Sequence, residues 1–289
     1  VRHDTRIAVG PVQFRIGSDW ARPIAALNRL YASYPQDPER PADATVRLFA
    51  ARPWRRWLRP SVQIGGDFTV PDALPLPLAM GLLAAEMGMN LQVALGWRRH
   101  LLLHASAVEK DGRAVILSGV SGSGKSTLAA LLGETGWRLM SDEFTLIAPD
   151  SGDALAFPRA VSLKNEAIAE MAARVDPARL GPLLAGTPKG DIRHLIPRPD
   201  AIAAMHDPAR PALILFPRFG GAAAAVEPMG EGEAFVRLTE ASTNYTALGE
   251  AGFAALTRLV RETPAFALSY PDSATGLALV DRLWAEAGR

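Results

Sequence analysis

The chain has 289 residues, 48% of them hydrophobic and 21% charged, enough to bury a sizeable core in one large domain or two modest ones. Its 31 Lys and Arg against 30 Asp and Glu leave a formal charge of +1, which supplies no global attraction to nucleic acid or to an acidic membrane. With no cysteine, disulfides and thiolate metal sites are excluded, and a reducing, cytoplasmic setting suits the composition.

Val1 to Gly17 alternates in the manner of a strand, most clearly from Thr5 to Ile16. It lacks the basic start and apolar block of a secretory signal, so none is expected. Trp20 to Tyr34 spaces Ile24, Leu27, Leu30 and Tyr31 as a helix, and Thr45 to Phe49 and Ser61 to Ile64 read as short strands. Between them, Arg52, Trp54, Arg55, Arg56, Trp57 and Arg59 interleave basic and aromatic residues. Such a cluster could meet nucleic acid or an acidic protein. The preferred reading is simpler: a loop whose arginines snorkel over two half-buried tryptophans, with no nucleic-acid partner.

Leu74 to Trp97 is the most apolar stretch. Two prolines near its start, then Glu86, Asn90 and Gln92, interrupt it, and a membrane span needs roughly 18 continuous apolar residues. A buried helix over Leu78 to Leu95 is expected instead, with Leu83, Met87, Leu91 and Ala94 on its apolar face and no membrane partner.

From Leu101 the signals become dense. Leu101 to Val108 and Ala114 to Ser118 are strands flanking Asp111-Gly112, a favoured two-residue hairpin turn. With that turn at the centre, paired residue numbers sum to 223. His104 then faces Gly119; a one-residue slip would turn it to the other face. Next comes Gly119-Val120-Ser121-Gly122-Ser123-Gly124-Lys125-Ser126, a match to G-x-x-x-x-G-K-[ST], with Thr127 opening a helix that carries Leu128, Leu131 and Leu132. Strand, glycine loop and helix are what phosphate binding needs. Glycines let successive N–H groups converge on oxyanions, and the helix N-terminus adds a favourable dipole. Lys125 would reach the β- and γ-phosphates of ATP, and the Ser126 hydroxyl would ligate Mg2+.

The chain then re-enters a strand, Arg138-Leu139-Met140, that ends in Ser141-Asp142-Glu143 and leads to a further strand over Phe144 to Ala148. Strand C-termini in α/β sheets face the ligand crevice. One of the two carboxylates can therefore hold Mg2+ and the other can accept a proton from an attacking hydroxyl. Beyond this point, Glu166 to Val175 is helical, Pro182 to Arg193 is a Gly-, Pro- and base-rich loop, and Ala212 to Pro217 is a buried strand. A loop follows, around Ala222 to Ala225, then a helix over Glu250 to Arg261, a strand over Ala265 to Tyr270 and a last helix.

Three segments together, His104 to Val108, Gly119 to Ser126 and Leu139 to Glu143, resemble the C-terminal kinase domain of bacterial HPr kinase/phosphorylase. That domain shares its nucleotide-binding architecture with phosphoenolpyruvate carboxykinase. Pro158 to Asn165 and Trp137 to Phe144 are similar to the HPr-kinase-related group found in bacterial peptide-modification gene sets, often beside a PqqD-like peptide-binding protein. The resemblance implies an α/β fold. Residues 98–289 would be a P-loop kinase domain of HPr kinase/phosphoenolpyruvate carboxykinase type, a mixed sheet with helices, and residues 1–97 a small α/β region packed on it.

Carried over by position, Asp142 takes the place of the general base, Glu143 that of a magnesium ligand, and His104 that of the histidine beside the catalytic aspartate. Glu143 departs from the family's second Asp, moving the carboxylate by about one C–C bond, roughly 1.5 Å. The family's basic residue near the transferred phosphate has counterparts in Lys189 or Arg193, within Gly186 to Arg193, and Lys164 is a further candidate. The glycine-rich signature Glu-Val-Arg-Gly-Leu-Gly of HPr kinase proper is absent, which argues against HPr as substrate.

The function this implies is a Mg2+-dependent kinase moving the γ-phosphoryl group of ATP to a Ser/Thr-type hydroxyl of a peptide or protein. The implied partners are a peptide or protein acceptor, a PqqD-like protein and further copies of the chain. A regulatory or scaffold module that binds nucleotide without transfer, and a small-molecule kinase, are the alternatives. A transport ATPase ranks last, because no Leu-Ser-Gly-Gly-Gln-type signature occurs.

Overall fold

Thr5 to Ile16 is not one strand. The computed structural model, which describes residues 2–37 and 39–287, folds β1 (His3–Val9) back on β2 (Val12–Ser18), with Val9 opposite Val12. Gly10 makes the reversal at a φ of 49°, and a Cβ there would lie 2.1 Å from the carbonyl oxygen of Ala156. The apolar residues change phase at this point, from Ile7 and Val9 to Val12, Phe14 and Ile16. A two-residue turn requires that shift.

Helix α1 (Ala21–Leu30) turns Pro23, Ile24, Leu27 and Leu30 inward. It is shorter than the spacing predicts because Tyr31 and Tyr34 leave the helix to bury their rings. The helix is the crossover to β3 (Ala44–Ala50), which runs parallel to β2; β4 (Ser61–Gly66) and β5 (Leu76–Pro77) complete a sheet of order β1-β2-β3-β4-β5.

Helix α2 (Gly81–Gly96) lies against this sheet, so close at Gly88 that a Cβ would sit 2.5 Å from Val46 Cγ1. Leu82, Ala85, Met89 and Val93 face the sheet; of the expected face, Leu83 is also buried, against Leu184 and Ile192, Leu91 and Ala94 are half-buried, and Met87 is 47% exposed. With almost every position apolar, the sequence carries no phase. The polar residues that should mark the outer face are also buried. Glu86 pairs with Arg159, and Gln92 exchanges hydrogen bonds with both backbone groups of Phe68. By length and composition Leu78–Gly96 could cross a membrane; here over half of it is buried within the protein.

The next elements are β6 (Leu101–Leu103), β7 (Ala105–Lys110), β8 (Arg113–Ser118), α3 (Lys125–Glu134), β9 (Arg138–Ser141), β10 (Thr145–Ile147) and β11 (Ala154–Leu155). Then come β12 (Val161–Lys164), α4 (Glu166–Ala172), β13 (Leu184–Thr187), β14 (Gly190–Leu195) and α5 (Pro199–Ala203). The chain ends with β15 (Arg210–Phe219), β16 (Ala225–Met229), α6 (Glu231–Ala241), α7 (Tyr245–Glu262, kinked at Gly249), β17 (Ala265–Tyr270) and α8 (Ser273–Ala287). Pro182 to Arg193, read as a loop, is thus largely the hairpin β13–β14. Strand β16 and helix α6 were not expected.

The central sheet has the order β16-β17-β15-β8-β7-β9 and is mixed: β15 runs parallel to β8 and β17, whereas β7, β9 and β16 run antiparallel to their neighbours. Period-2 alternation feeds two cores. Val115 and Leu117 of β8, with Leu213 and Leu215 of β15, pack under α3 and α8. Ala114 and Ile116, with Ile214 and Phe216, pack under α6 and α7. A large side chain buried in either layer contributes about 1.5–3 kcal/mol. Helices on both faces of a mixed sheet make an α/β fold. The parallel strands β8, β15 and β17 end on one edge, at Ser118, Phe219 and Tyr270, where the glycine loop lies.

Candidate functional site

The loop between β8 and α3 is shaped by three glycines in left-handed conformations: Gly119 at φ 142°, Gly122 at 84° and Gly124 at 98°. Gly124 is also hemmed in. A Cβ there would come within 3.0 Å of Phe219 Cβ and 3.1 Å of the Tyr270 hydroxyl. The end of β15 fastens the loop from outside, the Phe219 amide donating to the Ser123 carbonyl at 3.1 Å. Lys125, 7% exposed, folds back to donate to the carbonyls of Gly119 (2.7 Å) and Val120 (2.9 Å). Burial lowers its pKa; the charges of Asp142 and Glu143 pull the other way.

The hairpin register matches the turn-centred expectation. Ala105 pairs with Ser118 and Lys110 with Arg113, and both Asp111 (φ 54°) and Gly112 (φ 73°) have the positive φ of a tight turn. The ladder stops one residue short of His104, however. His104 has no strand partner in Gly119, because its amide turns to the Ala241 carbonyl at 2.7 Å as the chain changes sheets. The imidazole still reaches the site: Nδ1 is 3.7 Å from Glu143 Oε2, and the ring stands edge-on to Phe144.

Strand β9 pairs with β7, Ser141 opposite Ala107, so the acidic turn emerges beside the histidine strand, one strand removed from the glycine loop. Asp142 is 1% exposed. Its Oδ1 accepts from Ser106 Oγ at 2.8 Å, while Oδ2 has no partner of hydrogen-bonding geometry. Burial, then the charge of Glu143, pushes its pKa up; Ser126, Ser106 and the Ser162 amide lie close enough to offset part of that rise. Glu143 takes a φ of 70°, unusual for a residue with a side chain, and this turns its carboxylate toward His104.

One cavity of about 660 Å³ collects these groups: His104, Ser121, Gly122, Gly124, Lys125, Ser126, Thr127, Asp142 and Glu143 all line it. Lys164, from the end of β12, and Lys189, from the β13–β14 turn, line it too. Arg193 does not. Its side chain turns away to donate to the Gly181 carbonyl at 2.8 Å, so of the two candidate cations on this hairpin only Lys189 reaches the cavity.

Several lining residues were missed from the sequence. Ser106 lies two residues past His104, a period-2 clue available once the hairpin was drawn. Phe219 and Tyr270 end parallel strands, which also marks them for the crevice. Ser162, Asn165 and Glu170 carried no local signal.

Residues 84–171, from α2 through most of α4, match the protein family described as SynChlorMet cassette protein ScmC. No curated protein matches the chain. Among solved structures the chain is similar to the HPr(Ser) kinase/phosphatase from Coxiella burnetii, at 12% identity over 64% of this chain and 98% of that one, with a TM-score of 0.28. That superposition is too loose for residue-by-residue transfer.

The matched segment holds both the glycine loop and the acidic turn, and a buried network secures its end. Arg159, 3% exposed, donates to Glu86 Oε2 at 2.5 Å, to the Glu86 carbonyl at 3.1 Å and to Asn90 Oδ1. Tyr34 donates to the Pro158 carbonyl, and the Phe157 amide to the Met140 carbonyl at 2.7 Å. Through Arg159 and Phe157 this segment ties α2 to β9, the strand just before Asp142.

Among the described residues no three His, Asp or Glu side chains converge as a self-sufficient metal cage. The Ser126 hydroxyl and the Glu143 carboxylate are oxygen donors on one cavity, beside the unpartnered Asp142 Oδ2. Mg2+ usually takes one or two protein ligands and fills its shell with water and phosphate oxygens. The donor set fits a nucleotide-bound Mg2+ rather than a free-standing one.

Proposed function

We propose that this chain is an ATP- and Mg2+-dependent kinase that passes the γ-phosphoryl group to a Ser/Thr-type hydroxyl of a peptide or protein. One observation carries the reading: a buried aspartate, Asp142, keeps Oδ2 unpartnered on the cavity that Lys125 and Ser126 of the glycine loop also line. Simple nucleotide binding needs the loop alone. A buried carboxylate with raised proton affinity and a free oxygen is what an attacking hydroxyl needs.

In this reading the loop amides from Gly119 to Ser126, with Thr127 behind them, cradle the phosphates, and Lys125 exchanges its own-loop carbonyls for phosphate oxygens. Bound Mg2+ supplies charge neutralisation on the phosphate oxygens, with Ser126 and Glu143 as its protein ligands. His104 steadies Glu143, and Lys164 and Lys189 add positive charge where negative charge develops. Asp142 Oδ2 takes the acceptor's proton, the acceptor oxygen bonds to the γ-phosphorus, and the bond to the β,γ-bridging oxygen breaks to release ADP.

Similarity over 84–171 to a cassette protein supports a setting among co-encoded gene products. The family resemblance, carried by residues 101–165, supports 98–289 as the kinase domain, a cytoplasmic location, and a PqqD-like protein or a second copy as partners; the strand and helix pattern of 1–97 supports a small α/β region packed on that domain. The test is Lys125→Ala, assayed by intact mass with ATP, Mg2+ and co-encoded proteins. Phosphate transfer should drop by about 10²–10³-fold; an unimpaired variant would overturn the assignment.

A further inference from the structure

Far along the chain from the glycine loop, the basic and aromatic residues of 52–59 form something more definite than a solvated loop. Pro53–Arg56 is a 3-10 turn with Trp57 at its end; Trp54 is half-buried as expected, at 52% exposure, whereas Trp57 is 75% exposed. The turn forms one wall of a groove of about 1040 Å³. Arg22, Arg52, Arg55 and Arg59 line it, and no acidic residue does. None of these four arginines has an ion-pair partner among the described residues; Arg55 donates only to the Arg59 carbonyl. The floor is apolar, from Leu58, Pro60, Pro77 and Leu78.

We propose that this groove docks an acidic, extended segment of a polypeptide, carboxylates meeting the arginines and intervening apolar side chains resting on the floor. Charge complementarity selects the occupant: four uncompensated guanidiniums, each a bidentate match for a carboxylate, over an apolar base. Two features argue against nucleic acid. Arg52 stands over the Trp54 ring at 5.4 Å and Arg56 over Trp57 at 5.8 Å, so the protein's own cations occupy a face of each ring on which a base would stack. The apolar floor also offers nothing to a phosphate backbone. Pro75 and Pro77 remove backbone donors at the β5 edge, so the segment binds through side chains rather than by adding a strand.

The groove continues toward the phosphate cavity. Arg22, Leu78 and Ala79 also line a neighbouring cleft of about 300 Å³, with Arg29 on one side and Leu184 and Ala185 of β13 on the other. The same hairpin carries Lys189 into the phosphate cavity. A polypeptide anchored at Arg52 and Arg55 can run past Arg29 and along β13 toward Asp142. This route, unlike the docking itself, rests on the kinase reading above.

The test uses the full chain without nucleotide and a fluorescein-labelled decapeptide alternating Glu with Leu, followed by anisotropy at low and high salt. The peptide should bind and weaken with salt, while its Gln-for-Glu counterpart should bind on the order of tenfold more weakly. Arg52→Glu with Arg55→Glu, both on an exposed turn, should cost at least about tenfold in peptide affinity and leave ATP affinity unchanged. Lys125→Ala should do the reverse, so failure of the docking and failure of the kinase reading are separable. Equal binding of Glu and Gln peptides, an unaffected double variant, tighter binding of a single-stranded oligonucleotide that displaces the peptide, or self-association lost in the double variant would each overturn the proposal.

Discussion

The cavity at Lys125 and the groove at Trp54 are both concave and both cationic, yet they are built in opposite ways. In the cavity, Lys125 and Asp142 are buried among more exposed charges of both signs, and the loop backbone is held in conformations that only glycine adopts without strain. In the groove, the cations are mostly exposed and without ion-pair partners, and they come from α1 (Arg22), the 3-10 turn (Arg52 and Arg55) and Arg59 just beyond it. The first arrangement suits a small, highly charged group held in one position. The second tolerates variation in what it holds, as a polypeptide-docking surface should. The contrast predicts that substitutions at the cavity and its supports cost stability and chemistry together, whereas substitutions at the groove cost recognition alone.

The largest effect is expected between the two regions. Arg159→Ala leaves Glu86 buried without its partner, which costs about 3–5 kcal/mol, readable by chemical denaturation. A loss below about 1 kcal/mol would mean that the network does not hold α2 to the acidic strand. Next comes Gly124→Ala, which forces a left-handed φ on a residue with a Cβ and presses that Cβ on Phe219 and Tyr270. It should cost about 1–3 kcal/mol and weaken ATP binding. Gly112→Ala is its control: φ is also positive, but a Cβ there meets nothing within 4 Å, so the expected cost is only about 1–2 kcal/mol and ATP binding is spared. Equal effects on nucleotide affinity would break the comparison. The smallest effect is beside the groove, where Trp57→Ala, at a side chain 75% exposed, should change stability by less than about 0.5 kcal/mol.

The two regions also differed in how far the sequence could be read. Gly119 to Ser126 was legible because phosphate binding dictates residue types at fixed spacing. Asp111-Gly112 was legible because a two-residue turn fixes register, and that register carried through to Ala105 and Ser118. It failed at His104, where the chain leaves one sheet for another, an event set by α6 and invisible locally. In the N-terminal region the phase of α2 was lost because Glu86 and Gln92 look solvent-facing until their distant partners, Arg159 and Phe68, are in place. Lys189 and Arg193 share one hairpin and one charge; only the register of β14 against β12 and the Gly181 carbonyl separates them.

The raised pKa of Asp142 gives the decisive measurement a sign. In the folded chain Asp142 holds its proton to higher pH than in the unfolded chain. Its ionisation therefore subtracts stability as pH rises from the ordinary aspartate range through the raised value. Asp142→Asn should gain thermal stability relative to the wild type as pH rises through that window. At neutral pH it should still bind ATP and Mg2+, yet leave no phosphate mass shift on an acceptor that the wild type modifies. An Asp142→Asn protein that phosphorylates that acceptor at the wild-type rate would contradict the account.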